Sequence, residues 1–600
     1  MPAESGGSIE DVYRERLAAR RVVGDARERE HVRLSRIRLG LVTVAVGIPI
    51  IGGLDALSWS AVPAALFGLV AVVHAVRLDE RRRAASAVAF YERGLARLTH
   101  AWIGHGDQGE RFRQPGHLYA DDLDLFGRGS LFELVGTGRT EAGQSMLARW
   151  LLAPAEPDTV RLRQAAVREL VPRLDLRERI AVLGEGLAVG VDADGLRAWA
   201  SSPHRFGRRW ERALAAALPA IWIGLIGWIV LAGSMTLVAL RALVVLLVAQ
   251  SVVALWFRSR VLPVIGALEG PTRDLALLSG VLETLEGERF ESPRLVEIQR
   301  AVLGPRRASR EIRRLGQLAA LLASRTNLMF ALPAALLLWA TQFAAAIEAW
   351  RGRAGRHVPG WLDAVGEFEA LVALATFAGE HPGYVYPELT GDTRGIEATS
   401  IAHPLLPADA VPNDLALGAG ELSLFIISGS NMSGKSTWLR AVGVNVVLAG
   451  AGAPVRAASM HLAPLAVGAA MRVSDSLVDG QSHFMAEITR LKQIVDLARA
   501  RPGRVLFLLD EVLGGTNSHD RRHGAEGLLS GLLALDAIGL VTTHDLTLGE
   551  LADALTPAAA NVHFEDSFDG SRLMFDYRLR PGIVRTSNAI ALMRSIGLDV

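Results

Sequence analysis

Six hundred residues exceed what one hydrophobic core holds, about 250–300 residues, so the chain is multidomain. Half of the residues are hydrophobic and the mean hydropathy is positive, high for a protein wholly in water. A net charge of +1 gives no global pull on nucleic acid, and the absence of Cys excludes disulfides and any thiolate metal site.

Met1 to Arg38 is polar, carries both charges and holds no apolar core, which predicts an exposed helix on the cytoplasmic side and not a cleaved leader. Two apolar hairpins follow at separate places. The first comprises Leu39 to Leu54 and Ala56 to Val76, parted only by Asp55, with Arg33, Arg36 and Arg38 before it and Arg77, Arg81, Arg82 and Arg83 after. The second comprises Leu214 to Leu231 and Ala242 to Phe257, with Arg205, Arg208, Arg209 and Arg212 before it and Arg258 and Arg260 after. Arg at both outer ends returns the chain to the cytoplasm each time, so both hairpins are expected to cross a membrane; the alternative is buried helices of a soluble core.

A fifth apolar run, Thr326 to Ile347, is long enough to span, yet a fifth crossing would put the downstream nucleotide motifs outside the cell. It is therefore expected to be a buried helix, or at most a re-entrant one. Arg306 to Arg314 makes a basic run on a helix, and Glu348 to Phe377 continues a helical pattern into a linker at Pro382 to Pro387.

Lysine occurs only at Lys435 and Lys492, although Lys and Arg together number 64. Lys435 stands in the pattern Gly429-Ser430-Asn431-Met432-Ser433-Gly434-Lys435-Ser436, a phosphate-binding loop, where a compact ammonium on a flexible stem serves better than a guanidinium fork. The apolar run Leu422 to Ile427 before it reads as a buried parallel strand, and Ser436-Thr437 opens a helix whose first amides add to the phosphate cradle. Val505 to Leu509 reads as a second strand ending in Asp510 and Glu511. Asp510 with Ser436 is expected to hold Mg²⁺, and Glu511 to orient or deprotonate the attacking water. A third strand, Ala537 to Thr543, ends in His544, placed to touch the γ-phosphate or that water. Lys435, Glu511 and His544 are thus the expected catalytic residues, acting on ATP and Mg²⁺. Asn561 to Ser567 and Arg572 to Leu579 predict a hairpin, and Thr586 or Ser587 caps a closing helix to about Ile596.

Asn431 to Thr437, Ser482-His483-Phe484-Met485-Ala486-Glu487, Leu509-Asp510-Glu511 with Gly515-Thr516-Asn517, and Thr542-Thr543-His544 resemble, in order and spacing, the ATPase motifs of the MutS family, a branch of the ABC-type ATPases that acts on mismatched or branched DNA. The resemblance implies a homodimer with composite ATP sites, to which Ser482 and Asn517 contribute in trans, and a tail that braces the partner. It implies that His403-Pro404-Leu405 and Val411 to Asp414 frame the adenine, and that His117 to Pro154 begins a helical core. The family's phosphate loop usually has Pro where Ser430 stands, and no N-terminal mismatch-reading domain is expected, since membrane hairpins are expected in that part of the chain.

The expected fold class is multidomain α and α/β: a helical core and lever carrying two transmembrane helical hairpins, then a C-terminal P-loop (ABC-type) α/β ATPase domain. The expected division is 1–100 (N-terminal helix and first hairpin), 101–205 (helical core, first part), 206–260 (second hairpin), 261–395 (lever or clamp and core, second part) and 396–600 (ATPase domain with dimerisation element). The expected function is a membrane-anchored, multi-pass ATPase of the cell membrane, its ATPase domain in the cytoplasm, that couples ATP hydrolysis to DNA binding as in mismatch repair. The alternatives are an ATP-switched membrane scaffold without DNA binding and an ABC-type transporter; Asp479 to Met485 lacks the Leu-Ser-Gly-Gly-Gln of transporters.

Overall fold

The computed structural model describes residues 8–183, 193–203, 209–233, 235–268, 272–304, 306–327, 330–391, 394–430, 432–472, 483–514, 518–544, 549–568 and 573–584. The first hairpin is an antiparallel pair of long helices, Ile9–Gly52 and Ala61–Leu98, joined by a 3₁₀ turn over Leu54–Ser60. Ser8 starts the first helix with a reciprocal capping box to Asp11, and Gly53, at φ 71°, ends it. Cross-pairs tie the two along their length: Arg21 to Glu92 at 2.8 Å, Arg81 to Glu28, and His31 to His74 at 2.8 Å. The polar segment to Arg38 and the apolar run after it are therefore one uninterrupted helix, because no glycine turn or proline before Pro49 breaks the pattern. The second helix likewise continues well past Val76.

Among the described residues, four helices are long and apolar enough to cross a membrane: Ile9–Gly52, Asp55–Leu98, Ala213–Ala232 and Leu237–Gly266. Their large apolar side chains face outward, Ile51 at 89% exposure and Leu231 at 90%. A surface this apolar asks for a non-aqueous neighbour. The fifth run is broken, with helices at Ala331–Leu336 and Trp339–Ala354 on either side of Leu338, whose φ is 47°. The side-chain amide of Gln250, on the Leu237–Leu268 helix, donates to the carbonyls of Ala335 (2.7 Å) and Leu336 (3.0 Å) at the break. The run is thus not the single buried helix expected: it is broken, and Leu332 in its first half is 71% exposed.

The Val358–Glu380 helix is the axis of the helical region and is buried on nearly every face. The Glu141–Leu152 helix lies along it, and the contact is close because Gly143 and Gly366 have no side chain. A Cβ on Gly143 would fall 2.3 Å from the Glu369 carboxylate, and one on Gly366 would fall 2.7 Å from the Ala142 carbonyl. Glu369, fully buried, accepts from the amides of Arg139 (3.2 Å) and Thr140 (3.0 Å) and from the Thr140 hydroxyl. Burial pushes its carboxyl above the usual range, against these hydrogen bonds.

Among the described residues, ten strands form two sheets. β1 (Glu388–Leu389), β2 (Ile396–Ile401), β3 (Asn413–Leu417) and β5 (Ser459–Leu462) make a small sheet in the order β1-β5-β2-β3. β4 (Leu424–Ser428), β6 (Ala466–Ala470), β7 (Val505–Leu509), β8 (Ile538–Thr543), β9 (Ala559–Phe568) and β10 (Leu573–Pro581) make a larger one in the order β10-β9-β4-β8-β7-β6. Its strands are parallel except β10, which forms the predicted hairpin with β9. β6, β7 and β8 are buried at every position, as unalternated apolar runs require when helices cover both faces. The core does not break at residue 395/396: Leu123 packs where Gly443 leaves room, and Asp122 accepts from the amides of Met471 (2.8 Å) and Arg472 (2.7 Å).

Candidate nucleotide site

β4 runs into the loop Gly429 to Gly434, and the Lys435–Ala451 helix follows it. Gly429 (φ 148°) and Gly434 (φ 103°) take backbone conformations that L side chains rarely adopt. A Cβ on Gly429 would stand 2.9 Å from the Phe564 carbonyl and the Ser433 hydroxyl. Lys435 is 5% exposed, and its Nζ donates to the carbonyls of Gly429 (2.7 Å) and Ser430 (2.8 Å). Burial lowers its pKa, while Glu511 and Asp510 work the other way. A buried ammonium at a helix N-terminus, held by two carbonyls of its own loop, is suited to receive an anion.

β8 lies between β4 and β7, pairing Ser428 with Thr543 and Leu509 with Val541. The strand ends carrying Gly429, Asp510 and His544 therefore lie side by side. The hydroxyl of Thr542, fully buried, donates to the Asp510 carboxylate and accepts from the Glu511 amide at 3.0 Å. Glu511, at φ 53°, turns the chain, and its Oε1 lies 3.5 Å from Nδ1 of His544. Both side chains are about half exposed.

A cavity of about 900 Å³ opens over this cluster. Met432, Gly434, Lys435, Ser436, Thr437 and Glu511 form one wall, and His403, Val411 and Asn413 from the lead-in segment form another. Arg456 fixes that segment by donating to four carbonyls, those of His403, Leu406, Pro407 and Ala408, at 2.7–2.9 Å. Burial, aided by Arg440 and Arg456, pushes His403 down to about 4, so its imidazole is neutral; its Nδ1 accepts from the Leu405 amide at 3.2 Å.

Sequence reasoning missed the third wall, formed by Phe575, Asp576 and Tyr577 of β10. The β9–β10 register shifts between Phe575 and Leu579. Asn413 holds the bulge, donating to the Tyr577 carbonyl at 2.9 Å and accepting from the Leu579 amide at 2.7 Å. The Tyr577 ring lies 3.1 Å from where a Cβ on Gly434 would stand, over the phosphate loop. A predicted hairpin says nothing of a bulge set by an Asn more than 160 residues earlier.

Gly429, Ser430, Met432, Ser433, Gly434, Lys435, Ser436, Thr437, Asp510, Glu511 and His544 come together at this site. Asn431, Ser482 and Asn517 lie outside the described residues, as does the closing helix expected after Thr586. The part of the Ser482-to-Glu487 run that is described is helical, within His483–Ala500. Glu487 is buried there and its Oε1 accepts from the Leu513 amide at 2.6 Å, so it anchors the turn after Glu511.

The family model for MutS domain V matches residues 425–599, which include the loop, both carboxylates and His544. Residues 425–599 are a MutS domain V. Among its relatives, the DNA mismatch repair protein MutS of Natronomonas pharaonis is 36% identical over 241 residues, 39% of this chain and 27% of that protein. The DNA mismatch repair protein MSH3 of Phaeosphaeria nodorum is 34% identical over 240 residues, 39% of this chain and 20% of that protein. The DNA mismatch repair protein MutS 2 of Halobacterium salinarum is 35% identical over 242 residues, 39% and 27% respectively. The chain thus spans about a quarter of the length of these MutS relatives.

Proposed function

We propose that this chain is a membrane-anchored MutS-family ATPase, turning ATP and water into ADP and phosphate at composite sites of a homodimer, and that the cycle governs its grip on mismatched or branched DNA. The carrying observation is that Lys435 and Glu511 line one cavity, with Asp510 preceding Glu511 and His544 3.5 Å from it, all from three adjacent strand ends. Lys435 and the loop amides hold the β- and γ-phosphates. Glu511 receives the proton of the attacking water, and His544 orients Glu511 and meets the γ-phosphate. The Ser436 hydroxyl and the Asp510 carboxylate are hard oxygen donors that fit Mg²⁺, which when bound neutralises charge on the phosphates. Ser482 and Asn517 act from the partner chain.

The DNA part of the reading is supported by the MutS domain V and by the relatives' names. The basic run Arg306 to Arg314 is a weaker support, since Arg313 pairs with Glu283 at 2.5 Å and Arg306 lies 4.0 Å from Glu311. The membrane part is supported by the outward apolar faces of the four long helices.

The test is ATP turnover and DNA binding by the detergent-solubilised full chain. Lys435→Ala is expected to abolish nucleotide binding, and Glu511→Gln to bind ATP, lose turnover by at least about a hundredfold, and accumulate as a dimer. Duplex, mismatched and branched DNA are expected to bind with an affinity that falls steeply with salt. Normal turnover by Glu511→Gln sinks the catalytic assignment; no binding at low salt, with or without ATP, sinks the DNA assignment and favours the scaffold.

A further inference from the structure

A second cavity, of about 470 Å³, runs along the Leu237–Leu268 helix and shares no lining residue with the nucleotide site. Leu247, Gln250, Ala254 and Arg258 line it from one face of that helix, and Leu332, Leu336 and Trp339 line it from the broken fifth run. Gln250 clips the two walls together through the Ala335 and Leu336 carbonyls. Among the described residues, Arg258 is the one charged side chain of the lining; it is exposed and has no hydrogen-bond or ion-pair partner. Arg260, two residues on, is by contrast paired with Glu211 and lies 4.6 Å over the Trp256 ring.

With the hairpins in a bilayer as proposed above, helix rise sets the depth of each residue. Leu237 to Arg258 covers about 32 Å, a match to a hydrocarbon core of about 30 Å, so Arg258 stands at the cytoplasmic headgroup level. Trp210 and Trp256, stacked at 5.4 Å and each about half exposed, mark that level as interfacial aromatics do. Leu247 lies about 16 Å deeper than Arg258, near the midplane. From Arg258 inward the groove therefore has the reach of one leaflet's acyl chain, and half the depth that a crossing helix of a partner needs.

We propose that this groove holds one anionic phospholipid of the cytoplasmic leaflet, an acyl chain between the helix and the broken run and the phosphate on Arg258. The guanidinium fork matches phosphate oxygens. A zwitterionic headgroup brings its own cation to the phosphate and gains less from Arg258. Such a site requires the membrane placement, and single-cysteine labelling in intact cells tests that placement by itself, so the two can fail separately.

The test counts lipid on the full chain by native mass spectrometry, after equilibration in detergent with equal amounts of phosphatidylglycerol and phosphatidylcholine carrying the same acyl chains. Phosphatidylglycerol is expected to be retained at about one per chain, and at least about fivefold over phosphatidylcholine. Arg258→Gln, at an exposed position outside the nucleotide site, is expected to bring the two lipids within about twofold of each other. Ala254→Trp, which fills the groove, is expected to cut retention of both, whereas Val252→Trp, outside the lining on an exposed apolar position, leaves it unchanged. Equal retention of the two lipids by the unaltered chain, a preference unmoved by Arg258→Gln, or the same result from both Trp substitutions overturns the site. A dimer that Ala254→Trp splits with lipid retention unchanged gives the groove to a second copy and overturns it as well.

Discussion

Thr542 does at the residue scale what no motif announces. One hydroxyl donates to Asp510 and accepts from the Glu511 backbone, so a single buried atom sets the direction of the carboxylate assigned to Mg²⁺ and the turn that presents the carboxylate assigned to water. Thr542→Val keeps the shape and removes both bonds. The expected result is a fall in kcat of about tenfold or more with ATP affinity changed less than about threefold, since orientation counts most in the transition state; steady-state turnover beside equilibrium nucleotide binding measures the split. Lys435 was legible because the chain keeps almost no other lysine, and Asp510, Glu511 and His544 because each ends an apolar run. Thr542 was quoted only as part of a motif, since its role depends on β8 lying between β4 and β7. Strand order is a property of the sheet and leaves no local trace.

Among the elements, the axis helix Val358–Glu380 carries a carboxylate in its middle that no solvent reaches. Glu369 caps the start of the Glu141–Leu152 helix by taking the Arg139 and Thr140 amides, and the glycine contact at Gly143 makes that approach possible. Glu369→Ala leaves the Thr140 hydroxyl proton, the buried Thr140 amide and the half-buried Arg139 amide without this acceptor and opens a cavity. A loss of about 2–4 kcal/mol is expected, read as a lowered denaturation midpoint of the full chain in detergent. The existence of both helices was legible from apolar period, whereas the packing of one against the other was not, because it rests on paired glycines and a buried acid some 230 residues apart. The broken fifth run is a similar case. Its composition alone would allow a continuous helix, and the break is stabilised by Gln250, a side chain on another element.

For the whole molecule, the absence of Cys makes topology directly measurable, since any single cysteine introduced is the only one present. With two membrane hairpins, cysteines at Asp55→Cys and Met235→Cys, in the turns, are expected to react in intact cells with a maleimide that does not cross membranes. Cysteines at Glu15→Cys and Glu297→Cys are expected to react only after lysis. Equal labelling of all four before lysis would remove the membrane reading. The apolar segments and their Arg flanks were legible at this scale. The run of each first-hairpin helix straight through the expected membrane edge was not, because charge marks where the solvent changes while backbone geometry continues regardless.

That continuity has a mechanical result. From Val76 to Arg97 the helix extends about 32 Å at 1.5 Å per residue, accompanied throughout by its antiparallel mate and seated at its foot on Glu380. With the apolar end of this pair in lipid, it is a stiff mast without a swivel. On the proposed membrane placement, the nucleotide-handling end would ride at a set height and bearing above the bilayer, and a partner would approach from the side, within that layer.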